Sequence, residues 1–257
     1  MAVIKEGNLI KTKKELKEFV DLKLQSIDDL EWCKWAGWMD TDGTLFYKNK
    51  TEKRVSLKLK DRQPVELLSN LFETSLIYLE HKTTTPEPYR YEYIAKEYIT
   101  NLNGQRAVAI AKNIYPYLLN QEKKERAIAV LGYAPESKKL DDWTKQEFVQ
   151  YLATAFEGDG SVNKSKTGKK SGRFLIDLRM KSSNVEYLST IKYLFDKHFG
   201  VCCTLTEHST YQTKKGIKTK YDIYFPSRIK EFFHLLVEPN VMTLDRKKNQ
   251  ILEYLNQ

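Results

Sequence analysis

Read for the spacing of its apolar positions, the chain sets out one order of elements twice. A helical period runs through Trp32, Trp35 and Ala36 to Asp40, opened by Asp28 as N-cap with Glu31 three residues on. A second runs through Phe148, Tyr151 and Leu152 to Glu157, opened by a Thr144/Glu147 capping box. Each ends at a glycine, Gly43 or Gly160, the residue that most readily takes the left-handed conformation common at helix C-termini. Alternation then replaces the helical period. "TLFYKNKTEKRVSLKLKD" predicts strands near 44–50 and 53–60, and "SVNKSKTGKKSGRFLIDLRMK" predicts two more with Gly168 and Gly172 in the turn. Each pair leads into a helix: "PVELLSNLFE" with Pro64 in its first turn, and "NVEYLSTIKYLFDKHF" opening at Asn184. Two further strands follow in each half, "LIYLEHKTT" with "YRYEYIAKEYIT" and "VCCTLTEHST" with "KYDIYFP". Two closing helices, parted at Pro116 in one half and Pro239 in the other, complete each unit.

Local sequence supports the repeat. "LKLK" ending at Lys60 parallels "LRMK" ending at Lys181, and "VELLS" (65–69) parallels "VEYLS" (185–189). The expected fold is therefore α+β, a pseudo-twofold pair of αββαββα units on one chain. Residues 1–27 form a leading arm with a short amphipathic helix in "KKELKEFVDLKL". The first unit spans 28–132, a Gly-, Pro- and charge-bearing linker 133–143, and the second unit 144–257.

Composition narrows the classes. Among 257 residues, 43 Lys and Arg outnumber 34 Asp and Glu, a formal +9 that favours a polyanionic partner. The three cysteines, Cys33, Cys202 and Cys203, make no CxxC pair, which argues against a disulfide scaffold or zinc site and fits a reducing compartment. No run of about 18 apolar residues offers a membrane span. The N-terminus has no apolar signal core, so an intracellular protein is expected. His81, His198, His208 and His234 are scattered, against a His-Asn-His nuclease.

The acids at the helix ends carry the candidate chemistry. A single "DTDG" reads as a helix C-cap and polar turn. It fails as a calcium loop, which needs its glycine sixth, whereas Gly43 is fourth from Asp40. Two copies in equivalent places weigh more, because backbone carbonyls already make a helix C-terminus negative. Small residues in both helices, Ala36 and Gly37 against Ala153 and Ala155, permit close approach. If the helices cross there, Asp42 and Asp159 meet and need a cation. Oxygen ligation by these carboxylates with neighbouring carbonyls at Thr41 and Gly158 suits magnesium. Such a centre beside basic strands suits phosphodiester hydrolysis.

"WAGWMDTDG" (35–43) and "LATAFEGDG" (152–160) resemble the two signature motifs of single-chain LAGLIDADG homing endonucleases, and the element order of 28–257 extends the likeness. The resemblance implies a magnesium-dependent, site-specific endonuclease acting as a monomer, with Mn2+ as a substitute and Ca2+ supporting binding without cleavage. It makes the motif helices the interface between halves and Asp42 and Asp159 the metal ligands, and gives Asp40 and Glu157 a structural or indirect role. By position it adds Lys60 and Lys181 at the ends of second strands to the catalytic surroundings. Gln105 (or Arg106) and Arg228 join them at the helix after the fourth strand. It implies curved sheets forming a saddle in the DNA major groove.

Candidate contacts are Lys48, Lys50, Arg54, Ser56, Lys58, Lys82 and Arg90 in the first half. Lys164, Lys166, Arg173, Arg179, Thr204, Thr206, His208 and Lys220 are their counterparts in the second. Most would touch phosphate and fewer would read bases. Because the halves differ, the target should be a long, partly palindromic duplex. Two departures from the pattern, Thr154 in place of the glycine kept as Gly37 and Trp38 opposite Ala155, point to asymmetric packing. The spacing of Trp32, Trp35 and Trp38 marks core rather than a stacking platform. Two other readings stay open on the same scaffold: a maturase binding its intron RNA, and a non-catalytic DNA-binding regulator.

Overall fold

The computed structural model describes residues 4–6, 13–84, 91–166, 174–213, 216–226 and 229–256. The chain divides into two compact units. One comprises Met1–Ile27, Asp42–Asn113 and Arg126–Tyr133, and the other Asp28–Thr41, Ile114–Glu125 and Ala134–Gln257. The first motif helix, α2 (Asp29–Thr41), thus shares a unit with the second, α6 (Lys145–Asp159). Both start as their sequences direct. Asp28 Oδ1 accepts from Glu31 N at 2.8 Å, and Thr144 and Glu147 close a reciprocal capping box.

In the first unit, β1 (Ile4–Glu6) and α1 (Lys13–Gln25) precede β2 (Gly43–Tyr47), β3 (Lys53–Leu59), α3 (Arg62–Leu71), β4 (Leu76–Thr84), β5 (Glu92–Asn103) and α4 (Gln105–Ile114). The sheet runs β1-β4-β5-β3-β2, all neighbours antiparallel. Four strands match the pattern. The fifth comes from the leading arm, whose three-residue strand is too short to show a period and forms only because the edge of β4 offers it a ladder. On one face Val55, Leu57 and Leu102 are buried with Val65, Leu68 and Phe72 of the α3 layer. The other face carries Arg54, Ser56, Lys58, His81 and Glu97.

The second unit adds α5 (Gln121–Leu131, which the contacts divide between units), β6 (Gly160–Lys166), β7 (Phe174–Ser182), α7 (Val185–Phe199), β8 (Thr204–Thr213), β9 (Gly216–Phe225), α8 (Lys230–Val237) and α9 (Asp245–Leu255). Its antiparallel sheet runs β6-β7-β9-β8. Ile176, Leu178, Met180, Ile223 and Phe225 form the face buried with Leu188, Ile191, Leu194 and Phe195 of α7. The opposite face holds Ser161, Arg179, Lys181, Asp222 and Tyr224.

The motif glycines correct one expectation. Gly160 has φ −87°, Gly43 already pairs with Leu57 in the sheet, and neither has a positive φ. Left-handed glycines stand instead at Gly200, φ 64°, which ends α7, and at Gly132, φ 85°, directly after α5. Gly160 is needed for space, since a Cβ there would fall on the Phe156 ring and carbonyl. Among the described residues no helix is long and apolar enough to cross a membrane.

Candidate catalytic centre and nucleic-acid faces

The small residues of α2 and α6 meet. Ala36, Ala153 and Ala155 are fully buried, and a Cβ on Gly37 would fall on Thr154 Oγ1 and the Tyr151 carbonyl oxygen and 2.9 Å from Ala155 N. Thr154 fills the room a second glycine would leave. Its hydroxyl donates to Lys34 O across the helix pair at 2.7 Å, so the extra volume carries a hydrogen bond with it. Trp38, beside Gly37, is buried and donates through Nε1 to Glu157 Oε2 at 3.1 Å. Trp32 and Trp35 are buried as well, in keeping with a core role.

Each motif helix is then tied to the loop that opens a closing helix. Asp40 Oδ2 accepts from Leu119 N at 2.6 Å, Asn120 N at 3.2 Å and the Tyr151 hydroxyl at 2.5 Å, just before α5. Glu157 Oε1 accepts from Thr243 N and, at 2.7 Å, from Leu244 N, just before α9. Burial pushes both carboxyls up to about 7. The hydrogen bonds from Tyr151, Leu119 and Asn120 oppose it at Asp40, and those from Leu244, Thr243 and Trp38, with the Lys247 charge, oppose it at Glu157. These two acids therefore bond backbone and core side chains.

The acids two positions on are differently placed. Asp159 is exposed at the end of α6, and Asp42 is half-buried between α2 and β2. The α6 end is held by Lys247, a buried lysine of α9. Its ammonium donates to Phe156 O at 2.7 Å, Glu157 O at 2.6 Å and Gly160 O at 2.7 Å. A cation there offsets the negative helix end. On α5, Lys123 Nζ lies 3.5 Å from Thr41 O. Each motif thus offers one carboxylate and adjacent carbonyl oxygens, a hard all-oxygen donor set. Among the described residues no three His, Cys, Asp or Glu side chains gather as a cage. One or two carboxylates are what an ion retaining waters and phosphate oxygens requires, so these residues fit magnesium.

The other predicted residues fall in several places. Lys60 is exposed just past β3, and Lys181 is half-buried on β7, 3.2 Å from His208 Nε2. Gln105 is exposed at the first turn of α4, where it lines a depression with Lys50, Lys53 and Lys112. Arg106, half-buried, keeps its Nε without a hydrogen-bond partner, and burial lowers its pKa. Lys48 and Lys50 occupy the β2–β3 turn, Lys82 lies on β4 and Lys220 on β9, all exposed. Arg54, Ser56 and Lys58 share the polar face of the first sheet. Arg179 and Thr204 lie on that of the second, Thr206 paired with Asp222 and His208 at an irregularity of β8. Lys164 and Lys166 lie on β6, paired in register with Ile176 and Phe174. Arg90, Arg173, Arg228 and the Gly168/Gly172 turn lie outside the described residues.

Sequence reasoning passed over Lys247, Glu97 and Asp222. Nothing local marks Lys247, whose partners lie about ninety residues back along the chain. Glu97 and Asp222 did leave a signal. "LEHKT" (79–83) and "TEHST" (206–210) align, and each acid stands opposite the residue two before the aligned histidine.

Residues 148–237 match the family model described as the LAGLIDADG-like domain. No curated protein matches the chain. Among solved structures the chain is similar to the homing endonuclease I-WcaI bound to its DNA recognition sequence, at 16% identity and TM-score 0.51 over 95% of each chain. I-SmaMI bound to cleaved DNA aligns at 12% identity and TM-score 0.47, over 90% of this chain and 88% of that one. I-DmoI in complex with DNA and manganese aligns at 14% and 0.43, over 82% and 98%. The I-WcaI likeness shows the fold.

Proposed function

We propose, with residues 148–237 belonging to the LAGLIDADG-like domain family as the premise, that the protein is a site-specific, divalent-metal-dependent DNA endonuclease. The single observation that carries this reading is the survival of both acids at the ends of two tightly packed motif helices, while Asp40 and Glu157 are consumed in holding backbone. Had the scaffold needed only structural acids, one carboxylate per motif would suffice.

Asp42 and Asp159, with the carbonyls of Thr41 and Gly158, would hold magnesium, each acid serving one strand. When bound, the cation lowers the pKa of a water and neutralises charge at the scissile phosphate. The chain's own part is positional and electrostatic. Lys247 locks the carbonyls around Asp159, so that carboxylate projects from a fixed helix end. Lys60 and Lys181 would place positive charge near the phosphate, and Arg228 would donate hydrogen bonds to it. Gln105 and Arg106, by contrast, open α4 beside Lys53, at the end of β3 away from Asp42 and Lys60, and take no part there. The polar faces of the two sheets would lie in the major groove of a long, partly palindromic duplex. In this reading the chain is two αββαββα halves joined through 133–143, working as a monomer.

The +9 charge and the polar faces suit duplex DNA; no observation favours intron RNA over it. Selection from randomised duplexes in calcium, followed by transfer of the enriched duplex to magnesium, tests the reading. A staggered double-strand cut at one position is expected. Enrichment without cutting marks a binding protein, and no enrichment moves intron RNA to the front.

A further inference from the structure

Each sheet carries the same three-residue arrangement on its polar face. In the first, the Lys58 ammonium stands 2.7 Å from Glu97 Oε2, an ion pair without the alignment of a hydrogen bond, and His81 Nδ1 stands 3.7 Å from the same oxygen. In the second, Arg179 Nη1 is 3.7 Å and His208 Nδ1 3.3 Å from Asp222 Oδ2. The registers agree. Lys58 pairs with Ile99 and Arg179 with Tyr224, each two residues past its acid. Glu97 pairs with Leu79 and Asp222 with Thr206, each two residues before its histidine. Diagonal neighbours across antiparallel strands lie within reach of long side chains, so both geometries follow from register.

An acid on a face that meets a polyanion needs an explanation. Repulsion from phosphates would act against it, unless it is covered and neutralised. Asp222 is covered: its side chain is 0% exposed, screened by Arg179, His208 and Lys181, whose Nζ lies 3.9 Å away, while the Tyr224 hydroxyl donates at 3.2 Å. The Glu97 side chain is 19% exposed beneath Lys58 and His81, which are each nearly half exposed. Asp222 is therefore out of reach of a ligand and Glu97 is the least exposed member of its group, while the basic partners of both stand further out. Asp222 Oδ1 is buried without a hydrogen-bond partner, leaving room for a donor to shift onto it without releasing His208. Ser161 Oγ accepts from Arg179 Nε at 3.3 Å, so the guanidinium is held at one edge while the side chain stays 28% exposed.

We infer that Glu97 and Asp222 are positioning residues for sequence specificity. Each holds a basic reader, Lys58 or Arg179, and a histidine so that one base pair in each half-site is read, with guanine preferred at both. Lysine and arginine donate to guanine O6 and N7, and a reader fixed before binding loses less freedom on docking. This deepens the endonuclease reading and rests on it. The two half-sites then share guanine at equivalent positions although the rest of the two faces differs.

The test is the duplex selection in calcium, run with wild type, Glu97→Gln, Asp222→Asn, Lys58→Ala, Arg179→Ala and the Arg179→Ala/Asp222→Asn pair, with thermal melting of each. Expected is a drop of about tenfold or more in guanine preference at one position for Asp222→Asn, at the equivalent position of the other half-site for Glu97→Gln, and none elsewhere. Lys58→Ala should erase the preference that Glu97→Gln weakens. Adding Asp222→Asn to Arg179→Ala should bring no further loss at that base pair, the mark of action through the arginine. Uniform loss across the site, or an unchanged profile with intact melting, overturns the inference and leaves the endonuclease reading standing. Failure of wild type to enrich any duplex overturns both. Should Asp222→Asn not fold, the Glu97→Gln and Lys58→Ala profiles decide alone.

Discussion

Gly37 has almost no margin for a larger side chain, because its missing Cβ is the space that Thr154 and the Tyr151 carbonyl occupy. Two of the three atoms it would meet are backbone, which cannot swing aside. Gly37→Ala should therefore lose about 3 kcal/mol, the upper end of ordinary overpacking, and lower the melting temperature by roughly 6–12 °C. A loss below about 0.5 kcal/mol in urea unfolding would show that the helices can part. Thr154 shows how the departure from glycine is accommodated: the hydroxyl bonds Lys34 O, so a residue too large for a symmetric contact becomes a cross-link.

At the scale of elements, the motif helices are anchored at their C-termini by long-range partners. Asp40 receives the backbone before α5 and Glu157 the backbone before α9, each joining a helix end to a segment 79 to 87 residues away. Lys247 completes the second anchor. Replacing it with Met, similar in length, would leave three buried or half-buried carbonyls short of a donor and the α6 end uncompensated. Lys247→Met should lose about 2–4 kcal/mol, measured by urea unfolding, with a loss below about 0.5 kcal/mol against the account. The elements themselves were legible because periodicity, capping boxes and turn residues are local: Thr144, Asn184 and Pro64 stand where their sequences put them. The reason for Gly160 was not legible, since a glycine kept for space and one kept for φ look alike in sequence. Nor was β1, whose strand depends on a partner more than seventy residues on.

For the whole molecule, the repeat made most of the fold readable, and it made Asp42 and Asp159 stand out from acids of ordinary helix ends. What it left hidden were groups defined only by pairing across strands. Glu97 and Asp222 differ in type and sit in unlike local sequence; the aligned His81 and His208 mark the strands opposite them, and the shared register is what makes the two acids equivalents. The same limit applies to Lys247, whose contacts join α9 to the end of α6. The central claim is that two motif carboxylates cut DNA while the rest of the molecule binds it. The measurement that tests it most directly places the calcium-selected duplex in magnesium with wild type and with the Asp42→Asn/Asp159→Asn double variant, following both strands and the bound fraction. The account predicts that wild type cuts both strands, and that the double variant binds within about threefold of wild type yet cuts at least 10³-fold more slowly, a difference of about 4 kcal/mol in the barrier. Cleavage by the double variant at a rate near that of wild type would contradict it.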